Sequence, residues 1–376
     1  MTVDAPPLLS ALTTLRLGGP AARYVETASE QELVAAVLAA DDAGEPLLVL
    51  GGGSNVVVPD DGFPGVVVRD VRTGLTVEDA DSCGGASIRV PAGTPWVDVV
   101  DRAVAEGWVG VEALAGIPGS TGATPVQNVG AYGQEISGVV STVRVWDRGE
   151  QRVRTFAQVD LGFGYRTSVL KRSLRDADGS PSRFAPTPRY VVLDVGMQLR
   201  LGTLSAPVGY TELAARLGVE VGERAPLGDV RATVLALRAG KGMVLDAADP
   251  DTWSAGSFFT NPVVPAEVAD QLPEGAPRYA VRSARPERTT GPSLGAVDLT
   301  LVKTSAAWLI EHAGFGKGFG LPGPVGLSTK HSLALTNRGT GTTTELLELA
   351  RTVRDGVRDA YGIELEAEPV LVGCRL

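Results

Sequence analysis

Between two strand signals, the apolar PLLVL at 46–50 and the β-branched Val56, Val57 and Val58, the chain inserts Gly51, Gly52, Gly53, Ser54 and Asn55. The order is strand, glycine turn, strand. A doubly wound dinucleotide-binding sheet needs a helix after its glycine turn, because the helix N-terminus holds the phosphates. The P-loop pattern G-x-x-x-x-G-K-[ST] is also absent from the 376 residues, so neither a Rossmann unit nor a Walker site is expected.

A second segment, ALAGIPGSTGATPVQNVGAYGQEIS at 113–137, concentrates glycine, proline, hydroxyls and amides and has few side chains able to fill a core. Such a stretch exposes backbone N–H groups at close range, as a wrapped pyrophosphate or a flat ring system requires. A plain surface loop has the same composition. Rarity adds weight to particular positions. The lysines are Lys171, Lys241, Lys303, Lys317 and Lys330 and the asparagines Asn55, Asn128, Asn261 and Asn337.

The two cysteines, Cys83 and Cys374, and two histidines, His312 and His331, exclude a Cys- or His-rich metal cluster and a CxxC pair. No metal is expected, and redox chemistry would need an organic cofactor. A net charge of −10 opposes attraction to phosphate backbones and anionic lipid, so nucleic acid is an unexpected partner. No apolar run approaches 18 residues and MTVDAPPLLS lacks signal-peptide character, so no membrane association and a cytoplasmic location are expected.

Ser29 with Glu32 predicts a capping box opening a helix through Leu33 and Val37, and Thr94 with Pro95 predicts a helix start running to Gly107. Strands are predicted at VVSTVRVWD, QRVRTFAQ and YVVLDVGMQLRL, with a surface excursion at 173–187. Helices follow near 229–239, after Thr304 or Ser305, and after Thr344. Strands and helices mix without strict alternation, which makes the fold class α+β.

GPSLG at Gly291–Gly295 matches a nucleophile elbow, but a polar arm precedes it and a strand-like AVDLTLV follows, so the match is read as chance. AGSFFTNP at 255–262 sets Ser257 and Asn261 around Phe258 and Phe259, either as a plain core strand or with both polar residues facing a site. GYRTS at 164–168 reads as a strand, in which Arg166 beside Tyr165 is able to take a carboxylate in bidentate fashion.

TTLRLGGPA, LGGGSN, GIPGSTGATPVQNVGAYGQEI, GYRTS, GSFFTNP, SAAWLIEHAG and KHSLALTN occur in that order along nearly the whole chain. Together they resemble the longer-loop branch of the UDP-N-acetylenolpyruvoylglucosamine reductases, flavoenzymes of peptidoglycan synthesis and hence of bacterial cell-wall biogenesis. The resemblance implies an α+β fold with a two-part FAD-binding module of the vanillyl-alcohol-oxidase type and a substrate-binding domain. Their expected bounds are 1–70, completed by 366–376, then 71–245 and 246–365. It also implies FAD as cofactor, NADPH as co-substrate and UDP-N-acetylglucosamine enolpyruvate as the molecule reduced. A monomer is expected. By the same resemblance Gly51, Gly52, Gly53, Ser54, Asn55, Gly116, Ile117, Gly119, Ser120, Gly122, Asn128 and Gly130 would hold the flavin. Tyr165, Tyr210, Lys241 and Asn261 would hold the substrate, with a loop carrying Tyr210 closing over the nucleotide.

The implied catalytic residues are Arg166, Ser257 and a glutamate near the C-terminus. There the chain reads Leu365, Glu366, Ala367, Glu368, Pro369, with the family's proline displaced. In an extended strand the two glutamates share a face, so periodicity leaves them equivalent; the spacing to Gly373 favours Glu368. Two other functions keep the glycine loops: an oxygen-using sugar or lactone oxidase, and a noncatalytic nucleotide-sugar sensor.

Overall fold

A computed structural model describes residues 6–81, 83–286 and 295–376. By compactness the chain divides into two units. The first comprises Met1–Leu12, Gly19–Ser54 and Asp61–Leu245; the second comprises Thr13–Gly18, Asn55–Asp60 and Asp246–Leu376. The division by compactness separates Leu245 from Asp246 and sets no boundary at residue 70.

In the first unit, Ala21–Thr27, Phe63–Asp70 and Leu47–Val49 form a parallel sheet with Phe63–Asp70 in the middle. Helix Glu30–Asp42 lays Leu33, Val37 and Ala40 against Leu47, Val66 and Val68. Its N-cap is Ser29, which accepts from Glu32 N at 3.2 Å, while the Glu32 carboxylate reaches back to Ala28 N. An antiparallel sheet runs Arg152–Ala157, Val140–Asp147, Tyr190–Leu201, Gly85–Pro91, Thr76–Asp81. Its inner face shares a core with helices Trp96–Ala105 and Leu227–Gly240. Thr94 does not cap the first of these helices. Pro95 is the N-cap, the Thr94 hydroxyl donates to Gly74 O, and the Thr94 carbonyl receives Thr121 N and Oγ1. The excursion at 173–187 is tied down at its far end, where the buried Thr187 hydroxyl bonds the Leu47 carbonyl and the Val49 amide.

In the second unit, Phe258 and Phe259 are almost fully buried and share a core with helices Ala306–His312 and Thr343–Tyr361. Ser305 caps the shorter helix. The longer one starts two residues earlier than expected, with a capping box between Thr342 and Glu345. Arg278–Pro286 and Gly295–Thr304 pair antiparallel, and nearly all of the GPSLG string between them lies outside the described residues. One G-x-G-x-x-G string does occur, from Gly318 to Gly323, but it follows a helix and precedes strand Val325–Leu327, the wrong order for a dinucleotide fold. Val370–Leu371 pairs parallel with Val56–Val57. Asn337, 2% exposed, donates to the carbonyls of Leu15 and Arg16 and accepts from the amides of Gly339 and Gly341, which holds residues 13–18 in this unit.

Among the described residues no helix is long and apolar enough to cross a membrane.

Candidate active site

The two glycine segments of the first unit meet backbone to backbone. A Cβ on Gly52 would lie 2.6 Å from the Gly119 Cα, and one on Gly51 would lie 2.6 Å from Ser120 Oγ. Ser54 Oγ donates to Pro118 O at 2.9 Å. Residues 119–122 are fixed from beneath: Trp96 N donates to Gly119 O and Gly122 N to Ala92 O, and a Cβ on Gly122 would come within 2.5 Å of Ala92 Cβ. At Gly52 and Gly122 only glycine permits this approach, and the product is a ledge of small residues and main chain. That surface fits a flat, pyrophosphate-bearing cofactor such as FAD.

Not every expected cofactor residue lies on the ledge. Gly116, at φ +70°, packs on the side chains of Leu235 and Val244, and Ile117 rests against the apolar core. Asn55 belongs to the second unit, where its carbonyl accepts from Val370 N. Asn128 is 1% exposed, and its amide is spent on Glu135 Oε2, Gly164 O and Ser137 N. It works as a strut.

What Asn128 braces is the Arg166 turn. GYRTS is not a strand: Gly164 and Thr167 exchange hydrogen bonds, and Arg166 sits between them at φ +53°. A non-glycine residue in the left-handed region costs about 1–2 kcal/mol, so surrounding contacts must hold it. They come from the 126–130 segment. Ser168 Oγ donates to Val126 O, Lys171 Nζ bridges Gln127 Oε1 and Arg166 O, and Arg166 Nη2 donates to Gly130 O at 2.9 Å. A Cβ on Gly130 would lie 3.3 Å from Arg166 Nη1, so the glycine clears the seat of the guanidinium, which also stacks over the Tyr165 ring at 5.4 Å.

A third cluster in the same unit joins Tyr210 and Lys241 to residues that the sequence reading missed. The Tyr210 ring meets Tyr132 edge-on at 5.3 Å, and Gly133 packs on Gly209 beside them. Lys241 Nζ stands 5.8 Å from the Tyr132 ring and 2.6 Å from Glu212 Oε2. Burial draws the Lys241 ammonium down, but the Glu212 hydrogen bond and nearby phenols outweigh it, and its pKa rises. Burial raises the Tyr132 phenol. Arg238, in the last turn of the helix that Lys241 caps, is pushed down to about 10 by burial; its Nη2 donates to Met243 O while its shielded Nε lacks a hydrogen bond among the described residues. Tyr132 lay in plain view inside the glycine-rich motif. Arg238 had no signal in a chain where arginine is common.

In the second unit, Phe259 bridges Ala367, Glu368 N donates to Phe258 O at 2.8 Å and Thr260 N donates to Glu366 O. Glu368 is thereby anchored one residue from Ser257, and Glu366 sits one pair further along. Glu368 is half-buried and Glu366 exposed. The regular strand holds only Val370–Leu371, with Glu368 and Pro369 in a bend before it, so the two carboxylates are not equivalent positions of one strand. Asn261 Oδ1 accepts from Ala306 N at the start of helix Ala306–His312. Among the described residues no group of three or more His, Cys, Asp or Glu is placed to hold a metal.

Comparison with known proteins gives two family models. An FAD binding domain matches residues 21–155, and the C-terminal domain of UDP-N-acetylenolpyruvoylglucosamine reductase matches residues 249–372. Among relatives, the UDP-N-acetylenolpyruvoylglucosamine reductase of Cutibacterium acnes is 53% identical, with 99% of this chain and 90% of that one covered. The protein of that name from Thermobifida fusca is 52% identical, covering 98% and 97%. The crystal structure of UDP-N-acetylenolpyruvylglucosamine reductase from Thermus caldophilus superposes with a TM-score of 0.58 at 25% identity, over 97% of each chain.

Proposed function

Because the chain belongs to the UDP-N-acetylenolpyruvoylglucosamine reductase family, we propose that Arg166, Ser257 and Glu368 are the residues with which it works on its substrate. The chain is an FAD-dependent oxidoreductase that reduces UDP-N-acetylglucosamine enolpyruvate to UDP-N-acetylmuramate at the expense of NADPH, a step of peptidoglycan precursor synthesis. Bound FAD supplies the two-electron carrier chemistry that links NADPH to the enolpyruvyl double bond. Gly51, Gly52, Gly53, Ser54, Gly119, Ser120 and Gly122 would hold it.

When hydride reaches carbon 3 of the enolpyruvyl ether, negative charge develops at carbon 2 and spreads into the carboxylate. Arg166 is suited to that charge, since its turn is locked from both sides and its guanidinium needs little reorganisation. Ser257 would donate the proton to carbon 2. A hydroxyl is a weak acid in water, but one held against a carbanion-like carbon delivers a proton to a single face. Glu368 would orient or stabilise that proton-transfer site. The observation that carries this proposal is the bond from Glu368 N to Phe258 O, which supports Glu368, paired one residue from Ser257, over Glu366, paired with Thr260.

Tyr165, Tyr210, Lys241 and Asn261 belong to substrate binding in the same proposal, and the clustering of Tyr132 and Arg238 with Lys241 supports adding them. We also place the reaction in the cytoplasm, because neither a diphosphate-linked sugar nor a dinucleotide crosses a bilayer unaided. The test is Ser257→Ala followed in two halves. NADPH-dependent bleaching of the flavin should persist, while reoxidation by the enolpyruvyl substrate slows about 10²- to 10⁴-fold. Equal loss in both halves would make Ser257 a structural or flavin-binding residue.

A further inference from the structure

We propose that Glu212 is a built-in competitor for the nucleotide diphosphate, a residue that sets substrate affinity by occupying Lys241 until phosphate displaces it. The inference rests on the reading of Lys241 as a diphosphate contact.

Glu212 lies in the first turn of helix Thr211–Leu217, immediately after Tyr210, and its carboxylate is 2.6 Å from Lys241 Nζ. A carboxylate oxygen at that distance is chemically what a phosphate oxygen would be: an anionic acceptor on an ammonium. Tyr210 and Tyr132 are likewise engaged with each other. The groups that would receive the nucleotide therefore satisfy one another, with Glu212 supplying the negative charge.

The surrounding segment has the means to let Glu212 go without unfolding. Glu112, fully buried, accepts from Ala206 N and Gly110 N, both at 2.7 Å. Ser205 N pairs with Ala225 O, and Val208 N with Glu223 O. Leu213 and Ala214, next to Glu212 in sequence, are buried in the core. The backbone is thus pinned on either side of Tyr210 and Glu212. By contrast, the side chains of Glu212 and Lys241 are 40% and 33% exposed, so release needs only a rotation of Glu212 into solvent. A partly exposed pair of this kind is weak and salt-screened, and a ligand with two or more negative charges displaces it.

The test is the affinity of the FAD-loaded enzyme for UDP alone, by calorimetry at low ionic strength. Glu212→Gln should tighten UDP about two- to fivefold, and the gain should shrink at about 1 M salt. Lys241→Met should weaken UDP at least about tenfold, and adding Glu212→Gln to that variant should bring no further gain. At saturating substrate, kcat of Glu212→Gln should stay within about twofold of the parent while KM falls. If Lys241→Met loses UDP but Glu212→Gln binds it equally or more weakly, Glu212 holds the segment in place and the proposal fails. If Lys241→Met binds UDP like the parent, the reading of Lys241 itself fails, and the proposal with it. Should Glu212→Gln not fold, Glu212→Asp, with a shorter arm on the same charge, must still tighten UDP measurably.

Discussion

Replacing Gly52 with alanine tests whether the glycine ledge is a matter of backbone contact. The added Cβ would sit 2.6 Å from the Gly119 Cα and 3.0 Å from its carbonyl carbon, against an ordinary contact that begins at 3.4 Å. The two loops must separate by about 0.8 Å (3.4 less 2.6), and backbone tied to Trp96 N and Pro95 does not rotate away. Overpacking of this kind costs about 1–3 kcal/mol, which for a unit of this size lowers the melting temperature by about 4–8 °C at a mid-range 2 kcal/mol. Gly51→Ala is the control. Its Cβ would meet Ser120 Oγ, also at 2.6 Å, but Ser120 Cβ lies at 3.6 Å, so Gly51→Ala combined with Ser120→Ala should return close to parental stability. Thermal unfolding gives the stability, and absorbance near 450 nm after gel filtration gives the flavin retained. Heat should free the flavin from parental protein, since no Cys or His lies in either loop to bond it covalently. Gly52→Ala should lose both stability and flavin. A Gly52→Ala protein as stable and as yellow as the parent would refute the backbone argument.

Glu368→Gln should slow enolpyruvyl reduction severely, whereas Glu366→Gln should cost less than about tenfold, read by flavin reoxidation under single-turnover conditions; the reverse order would move the catalytic role to Glu366. Arg166→Gly separates stability from chemistry. It relieves a left-handed backbone worth about 1–2 kcal/mol but gives up the bond to Gly130 O, so the melting temperature should change little. Turnover should nonetheless drop at least about 10²-fold, as for loss of a donor aimed at developing charge. A large loss of stability with turnover retained would show that Arg166 is a structural residue.

The strands and helices were legible wherever periodicity or a cap wrote them locally, as with Tyr190–Leu201 or the Ser29 cap. The Arg166 turn was not. Tyr and Thr in GYRTS favour strand, and what overrides them is Asn128 reaching Gly164 from 36 residues away. Thr94 failed as a cap for a similar reason, since its hydroxyl and carbonyl are claimed by Gly74 and Thr121. The two C-terminal glutamates were indistinguishable by period because the strand assumed for them is interrupted by a bend, and the register came from Phe258 instead. The glycines of the ledge stood out because Cβ is forbidden there, whereas Glu212 and Arg238 are ordinary surface-type residues whose meaning comes only from what lies next to them.

The way Asn337 grips residues 15 and 16, and residues 370–372 pair with 55–57, bears on the order in which the polypeptide is completed during synthesis. Those early segments leave the ribosome long before their partners exist. At about 5–20 residues per second, the interval between making residue 60 and residue 337 is roughly 14–55 s. Through that time Thr13–Gly18 and Asn55–Asp60 lack the later residues they pack with, which leaves Leu15, Leu17 and Val57 without their core. The late-forming contacts span more than 300 positions, so closing them is a high-contact-order event that local structure does not hasten. A nascent chain halted before Val370 would therefore hold an unmatched strand at Val56–Val57, and an unpaired strand edge of this kind is a template for self-association.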